Sequence, residues 1–338
     1  MKFTCKVPVL QNAKAFPFLH VEASGSMATF TAFTGETQTG STDYIYVQVT
    51  VPAVVEEAGG ASFESSSLKP FARKEVAFST DTSKPQAARI SFGAAGTQVR
   101  VLDSIKMPPE NTAPLSLVTL DFGPSDVISK DATRPHLNYL HLQARGGQVQ
   151  ATATDGHRMH RISTLFAGAD FEMTVPRFAA DALRATKDTE AMCAPGFVRI
   201  GATTVRFHPW RAAFPPCDRI IPQGMERTTF LPVKELISLL KAYPKALEVD
   251  VEESGNLLLH ISEEEMKITR FGYFDRTVEA KTAGLQPGET FKIGVCLKYL
   301  ISALELVGEG ATTGTSGDLD PLLIQSGERL AVVMPCRS

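Results

Sequence analysis

The chain reads as an α+β protein with helices laid on one face of antiparallel sheet, and three observations carry the reading. Segments with apolar–polar alternation, the period of a half-buried strand, recur along the whole length, as in 27–34, 44–51, 97–101 and 148–154. In three places, 175–184, 231–240 and 295–304, a short strand runs straight into a helical segment. Two or three strand-like pieces follow, so strand, helix and strands form an internal repeat. Two such units make one domain with helices on one face of antiparallel sheet.

Taken in order, the alternation at 27–34, 44–51 and 97–101 predicts strands. Ser66-Ser67-Leu68-Lys69-Pro70-Phe71-Ala72-Arg73-Lys74 predicts a short helix with a serine cap and an early proline, where a missing N–H costs least. The polar, proline-rich run 107–114 marks a domain boundary. Further on, 198–200 and 204–207 flank Gly201-Ala202-Thr203 as a hairpin, and Phe214-Pro215-Pro216 with Pro222 reads as an extended linker. After the helix at 233–241, strands are expected at 247–252, 257–261 and 266–271. After the helix at 297–306 come 322–325 and 330–334.

At 338 residues, 43% hydrophobic and 21% charged, the chain is globular and suits two or three domains of about 100–150 residues each. No apolar run approaches the ~18 residues of a membrane span, and the start lacks the apolar core of a signal peptide. The five cysteines (5, 193, 217, 296 and 336) are scattered, odd in number and form no CxxC. A reduced, cytoplasmic protein is the expectation. The net charge of −3 argues against an ordinary DNA-binding domain but not against a protein with positive charge on one inward wall.

The most specific local object is Ala153-Thr154-Asp155-Gly156-His157-Arg158-Met159. A strand ends there, Asp-Gly turns the chain, and the alternation resumes, so the segment predicts a hairpin whose corner carries Asp, His and Arg. This hexapeptide and the apolar residue after it resemble the central-domain signature of the bacterial sliding clamp, the β subunit of replicative DNA polymerase. Leu137-Asn138, Phe214-Pro215 with Arg219-Ile220-Ile221-Pro222, and Val332-Val333-Met334-Pro335-Cys336-Arg337-Ser338 match the same family, in order and at the right spacing. The resemblance is close over 116–338 and looser before it.

The resemblance implies three similar domains, at 1–115, 116–224 and 225–338, each with antiparallel sheets outside and two helices inside. It implies a head-to-tail homodimeric ring around double-stranded DNA that acts as a processivity factor. In the family the four matching pieces converge on one pocket. Here its residues are Leu137, Thr154, Gly156, His157, Arg158, Met159, Pro215, Arg219, Ile220, Val332, Val333, Met334, Pro335, Cys336 and Arg337. Their chemistry is an apolar floor with an Arg and His rim, which suits a short hydrophobic peptide with polar or acidic flanks. The implied partners are DNA polymerase, the clamp loader and other proteins with clamp-binding motifs. Cys336 and Ser338 are smaller than the family's usual residues, which predicts a widened or altered pocket.

DNA contacts are expected from the basic residues of the repeat helices: Arg177 and Arg184, with Lys187; Lys234 and Lys241, with Lys245; and Lys69 and Arg73, with Lys74. Acidic residues cluster on the strands between copies, at 248–253 and 263–265. Such contacts are to phosphates and are salt-sensitive. By position in the family, Lys130, Arg134 and His136 join them. The sequence departs here, because Gly123-Pro124 within 120–128 leaves little room for the family's long helix.

Two other readings stand beside the clamp. A diverged paralogue of the same fold would bind peptides without loading on DNA. A metal-dependent hydrolase would use Asp155 and His157, but alternation puts His157 and His160 on opposite faces, and no HExxH, P-loop, GxGxxG or GxSxG occurs. On the clamp reading the chain is not an enzyme and needs no cofactor.

Overall fold

A computed structural model describes residues 1–8, 16–34, 45–81, 84–102, 115–186, 188–208, 213–223, 227–246, 255–270, 274–283, 285, 289–317 and 319–336. The expected boundary at 107–114, the strand at 247–252, Lys187, Arg337 and Ser338 lie outside the described residues. The chain forms two compact units, one of Met1–Phe122, Gln143–Gly147 and Phe166–Arg211, the other of Gly123–Leu142, Gln148–Leu165 and Ala212–Ser338.

The first unit is built on a 12-stranded sheet. Its main path runs Ala95–Arg100, Lys84–Phe92, Glu75–Asp81, Lys2–Lys6, Tyr46–Glu57, Thr203–Arg206, Phe197–Ile200, Glu190–Ala194 and Ser116–Thr119. Tyr46–Glu57 is the hinge of this order, because its length lets it pair with Lys2–Lys6 at one end and with Thr203–Arg206 at the other. The sheet therefore runs continuously past residue 115. Phe3, Phe30, Phe33, Phe63 and Phe78 are buried side chains of its core, and Phe3 stacks on Phe78 with ring centroids 4.8 Å apart. α1 (Arg177–Arg184) follows the strand Phe171–Pro176 directly and buries Ala179, Ala180, Ala182 and Leu183. Small alanines let the helix lie close to its support.

The segment at 65–71 corrects an expectation. A short helix does form, a 3₁₀ helix over Ser65–Phe71, but it is preceded by Glu64 with no side-chain cap rather than capped by a serine. Pro70 sits at its end, not its start. Proline has no N–H to close a longer turn and its ring clashes with the carbonyl four residues back, so the α form is cut off.

In the second unit one sheet runs Gln148–Thr154, Arg158–Leu165, Arg329–Val333, Leu322–Ser326, Thr312–Thr315, Arg227–Phe230 and Thr282–Ala283. A 4-stranded sheet runs Phe274–Glu279, Glu265–Arg270, Asn256–Ile261 and Phe291–Cys296. α2 (Val233–Ala246) and α3 (Leu297–Val307) pack on them through Leu236, Leu240, Leu300, Ala303 and Leu304, all buried in one apolar cluster. Burying a leucine contributes about 2 kcal/mol, so this cluster is the main support of the unit. Gly123–Val127 is a single 3₁₀ turn, as expected where Gly-Pro interrupts a helix. Among the described residues no helix is long and apolar enough to cross a membrane.

Candidate functional site

The hairpin corner forms as its residues dictate. Strands Gln148–Thr154 and Arg158–Leu165 pair antiparallel, with Thr154 opposite Met159. The Asp155 carboxylate accepts N–H bonds from His157 (2.9 Å) and Arg158 (3.1 Å), the short-range closure that makes Asp a turn residue. Gly156 adopts φ +90°, a conformation costly for other residues. Thr154 Oγ1 donates to the Arg158 carbonyl (2.7 Å) and accepts from the Gly156 amide (3.1 Å).

Strand alternation then divides the corner between two faces of the sheet. On one face Arg158 is pinned: its Nε donates to Asp155 Oδ2 (3.1 Å), its Nη1 donates to Ser302 Oγ, and its guanidinium lies 4.6 Å from the Tyr299 ring centroid. His157 stacks on the same ring, with centroids 6.0 Å apart, so it and His160 both face α3 rather than opposite faces as alternation predicts, because His157 lies in the turn before the strand begins. His160 follows Arg158 on this face and is only 2% exposed, its Nε2 3.5 Å from Ser302 Oγ and its Nδ1 without a partner among the described residues. Burial, with the charge of Arg158 adding to it, pushes the His160 imidazole down to about 3.

On the other face Met159, Cys217, Leu323 and Val332 form a buried apolar cluster, flanked by half-buried Phe214, Ile220, Ile221 and Leu330. The 3₁₀ turn Cys217–Ile220 is held onto the strand by Arg161, whose Nη1 donates to Asp218 Oδ1 (2.6 Å) and whose Nε donates to Thr152 (3.0 Å). Pro215 and Ile220 are half-buried and Arg219 is exposed. The amide of Met334 donates to the His157 carbonyl (2.9 Å), which brings Met334, Pro335 and Cys336, all half-buried, alongside the corner.

The sequence-derived residues thus gather within the second unit, Arg337 apart, but not as one lining. Met159, Val332 and Val333 are 0% exposed, so they support the surface rather than present it. Val333 belongs to the helix-side core and Val332 to the opposite cluster. Leu137, 5% exposed, lies under the corner, since a β-carbon on Gly156 would stand 3.6 Å from its Cδ1. Tyr299 and Ser302 were not foreseen; the available signal was a polar residue breaking the apolar stripe of α3 at the pitch that faces the sheet. Arg134, expected with the DNA contacts, also reaches the corner: that same β-carbon would stand 2.8 Å from its Nη1. Arg134 is oriented by Asp131, which accepts its Nε (2.9 Å) and two bonds from Thr133. Those bonds, Thr133 first, hold the Asp131 carboxyl down to about 2.

The other expected DNA contacts are distributed. Lys69, Arg73 and Arg184 are exposed and Arg177 half-buried in the first unit. Lys130, His136, Lys234 and Lys241 are exposed in the second. Lys241 pairs with Glu305 of α3 (2.5 Å) and Lys234 lies 3.9 Å from Glu309. Among the described residues no three His, Cys, Asp or Glu side chains gather so as to hold a metal ion, and the Asp155 carboxylate is committed to the turn and to Arg158.

Compared with known proteins, the chain is 25% identical over 194 residues to the beta sliding clamp of Pseudomonas aeruginosa, a match covering 54% of this chain and 52% of that protein. The matched region is thus about half the length of that relative. No protein-family model matches. Among solved structures, the Bacillus subtilis DNA polymerase sliding clamp aligns at a TM-score of 0.76 with 16% identity, covering 100% of this chain and 99% of that one. The Thermotoga maritima DNA polymerase III beta subunit aligns at 0.76 with 15% identity, covering 99% and 100%. Caulobacter crescentus pol III beta aligns at 0.74 with 19% identity, covering 100% of both chains. The fold is therefore the DNA clamp fold, α+β with antiparallel sheets, and the resemblance to bacterial sliding clamps read from the sequence is borne out.

Proposed function

We propose, from a chain with the fold of the bacterial sliding clamps, that this protein is itself a sliding clamp. It encircles double-stranded DNA as a head-to-tail homodimeric ring of three similar domains per chain, in the cytoplasm, and tethers DNA polymerase and other proteins through short peptides. It carries out no covalent chemistry, and processivity comes from topology. Ala95–Arg100 is exposed at one sheet edge and Phe274–Glu279 ends another. Edges with no further described strand beyond them can join copies head to tail, and such contacts either close into a ring or propagate into filaments. The ring's inner wall meets phosphates through Lys69, Arg73, Arg177, Arg184, Lys234 and Lys241. Opening it falls to a separate clamp loader.

The observation that carries the reading is the alignment of the whole chain with clamps together with the gathered corner. His157, Arg158 and Tyr299 make a cationic and aromatic wall, and Pro215, Ile220, Met334 and Pro335 offer apolar surface beside it. Arg134 adds a second guanidinium, a natural partner for an acidic flank. Retention on nicked circular DNA tests the reading: a clamp stays on the circle until it is linearised, and stays less well as salt rises.

A second reading has its own support. Gly123–Val127 is a 3₁₀ turn where the family has a long helix, and Lys234 and Lys241 both face acidic partners. These favour a peptide-binding adaptor of the same fold that does not load. Free passage off circular and linear DNA alike, with peptide binding intact, would select it.

A further inference from the structure

Cys296 and Cys336 lie far apart in the chain but are adjacent in the second unit. Cys296 ends the strand Phe291–Cys296 and caps the N-terminus of α3 without a side-chain bond. The amide of Cys336 donates to the Gly294 carbonyl (2.8 Å), two residues before Cys296. In return the Cys296 amide bonds the Cys336 sulfur. The two contacts lay the backbone of Cys336 alongside that of Gly294–Cys296 and make the two cysteines neighbours. Both residues are half-buried, so a small reagent reaches them, whereas Cys5, Cys193 and Cys217 are buried. Burial pushes those three thiols up, to about 12, about 12 and about 11.

We propose that Cys296 and Cys336 form a reversible disulfide, a modification site that gates the surface beside Tyr299. The gating rests on the peptide-site reading above; the bond itself does not. The oxidant is a low-molecular-weight disulfide, R–S–S–R. The Cys296 thiolate attacks one of its sulfurs, forming a mixed disulfide and releasing RS⁻. Cys336, as thiolate, then attacks the Cys296 sulfur, closing the protein disulfide and releasing a second RS⁻. The two protein protons end on the two leaving groups as RSH. The cysteine pair loses two electrons and R–S–S–R gains them. Burial and the neighbouring Cys296 raise the Cys336 thiol.

The consequence follows from where the bond sits. Tyr299 is in the first turn of α3, beside Cys296, and carries Arg158 and His157 on its ring. A disulfide ties the Met334–Cys336 segment to the start of that helix. It holds the Cys336 side chain against Cys296 and fixes Met334 and Pro335, so a peptide loses one adaptable surface.

The test uses the full chain, equilibrated in glutathione disulfide or in dithiothreitol. Peptide mapping by mass spectrometry locates the bond, and anisotropy measures affinity for a fluorescein-labelled pentapeptide carrying two leucines, a phenylalanine and an aspartate. The expected result is a Cys296–Cys336 crosslink, a tenfold or greater loss of affinity on oxidation, and full recovery with dithiothreitol. In Cys296→Ser, with a melting curve showing it folded, the crosslink and the redox response both vanish. Glutathione adducts on either cysteine without the crosslink, while the reduced chain binds peptide, would overturn the disulfide and leave the peptide site standing. A crosslink with unchanged affinity would overturn the gate. A crosslink in a chain that binds no peptide when reduced would overturn the peptide site and the gate, and support the bond.

Discussion

Replacing Arg158 with alanine removes a side chain that joins the hairpin corner to α3 through both Tyr299 and Ser302. Three interactions go with it: the ion pair to Asp155 at 3.1 Å, the hydrogen bond to Ser302, and the stack on Tyr299 at 4.6 Å. The side chain is 11% exposed and that of Asp155 20%, so solvent screening is modest. A charge-assisted hydrogen bond contributes about 1.5–3 kcal/mol and a half-buried cation–π contact about 1 kcal/mol. Asp155 keeps its two backbone bonds and stays solvated on one side, which limits the penalty. The net expectation is a loss of about 2–4 kcal/mol. Urea unfolding followed by circular dichroism should show a lower midpoint at unchanged slope, and pentapeptide affinity should fall at least tenfold. Arg158→Lys keeps the charge but not the planar fork, so it should recover less than half of either loss. If Arg158→Ala unfolds at the native urea midpoint and binds peptide normally, the corner is neither braced by Arg158 nor the binding wall.

His160 sets an acid limit on stability. Its imidazole is held down to about 3 against an ordinary 6.5, so the unfolded chain takes up the proton first. The stability it secures is complete above about pH 6.5, falls by about 2 kcal/mol by pH 5, and goes on falling as pH approaches 3. Urea midpoints between pH 7 and 5 should drop for the native chain and stay flatter for His160→Leu. Gly156→Ala should cost about 1–2 kcal/mol, because φ +90° is unfavourable for alanine and its methyl would push the Arg134 guanidinium; the same urea assay reads it. Lys241→Glu places a second carboxylate beside Glu305 and, on the proposed function, removes a phosphate contact. It should shorten retention on nicked circles severalfold at low salt and flatten the salt dependence, with little effect on folding.

Local chemistry was legible in the sequence. Asp155 and Gly156 make a turn from any context, and the strand-to-helix copies at α1, α2 and α3 follow from periodicity and a proline or polar start. The short helix at 65–71 was legible, but not its missing serine cap or its 3₁₀ form, which follows from Pro70 at the end of the run rather than the start. The division of the corner between two sheet faces was implicit in the alternation of Arg158, Met159 and His160. What lies over each face was not, because it depends on which distant element packs there. α3 brings Tyr299 and Ser302 to Arg158, and the Cys217–Ile220 turn covers Met159. Nor does one-dimensional spacing reveal that Arg134 reaches Gly156 from across a 3₁₀ turn.

The closed ring is the central claim, and solution mass by light scattering across a dilution series tests it most directly. A clamp should run near twice 36.6 kDa and hold that mass on dilution. A single-chain mass at every concentration would contradict the ring and leave the hairpin corner with its peptide as the function to pursue.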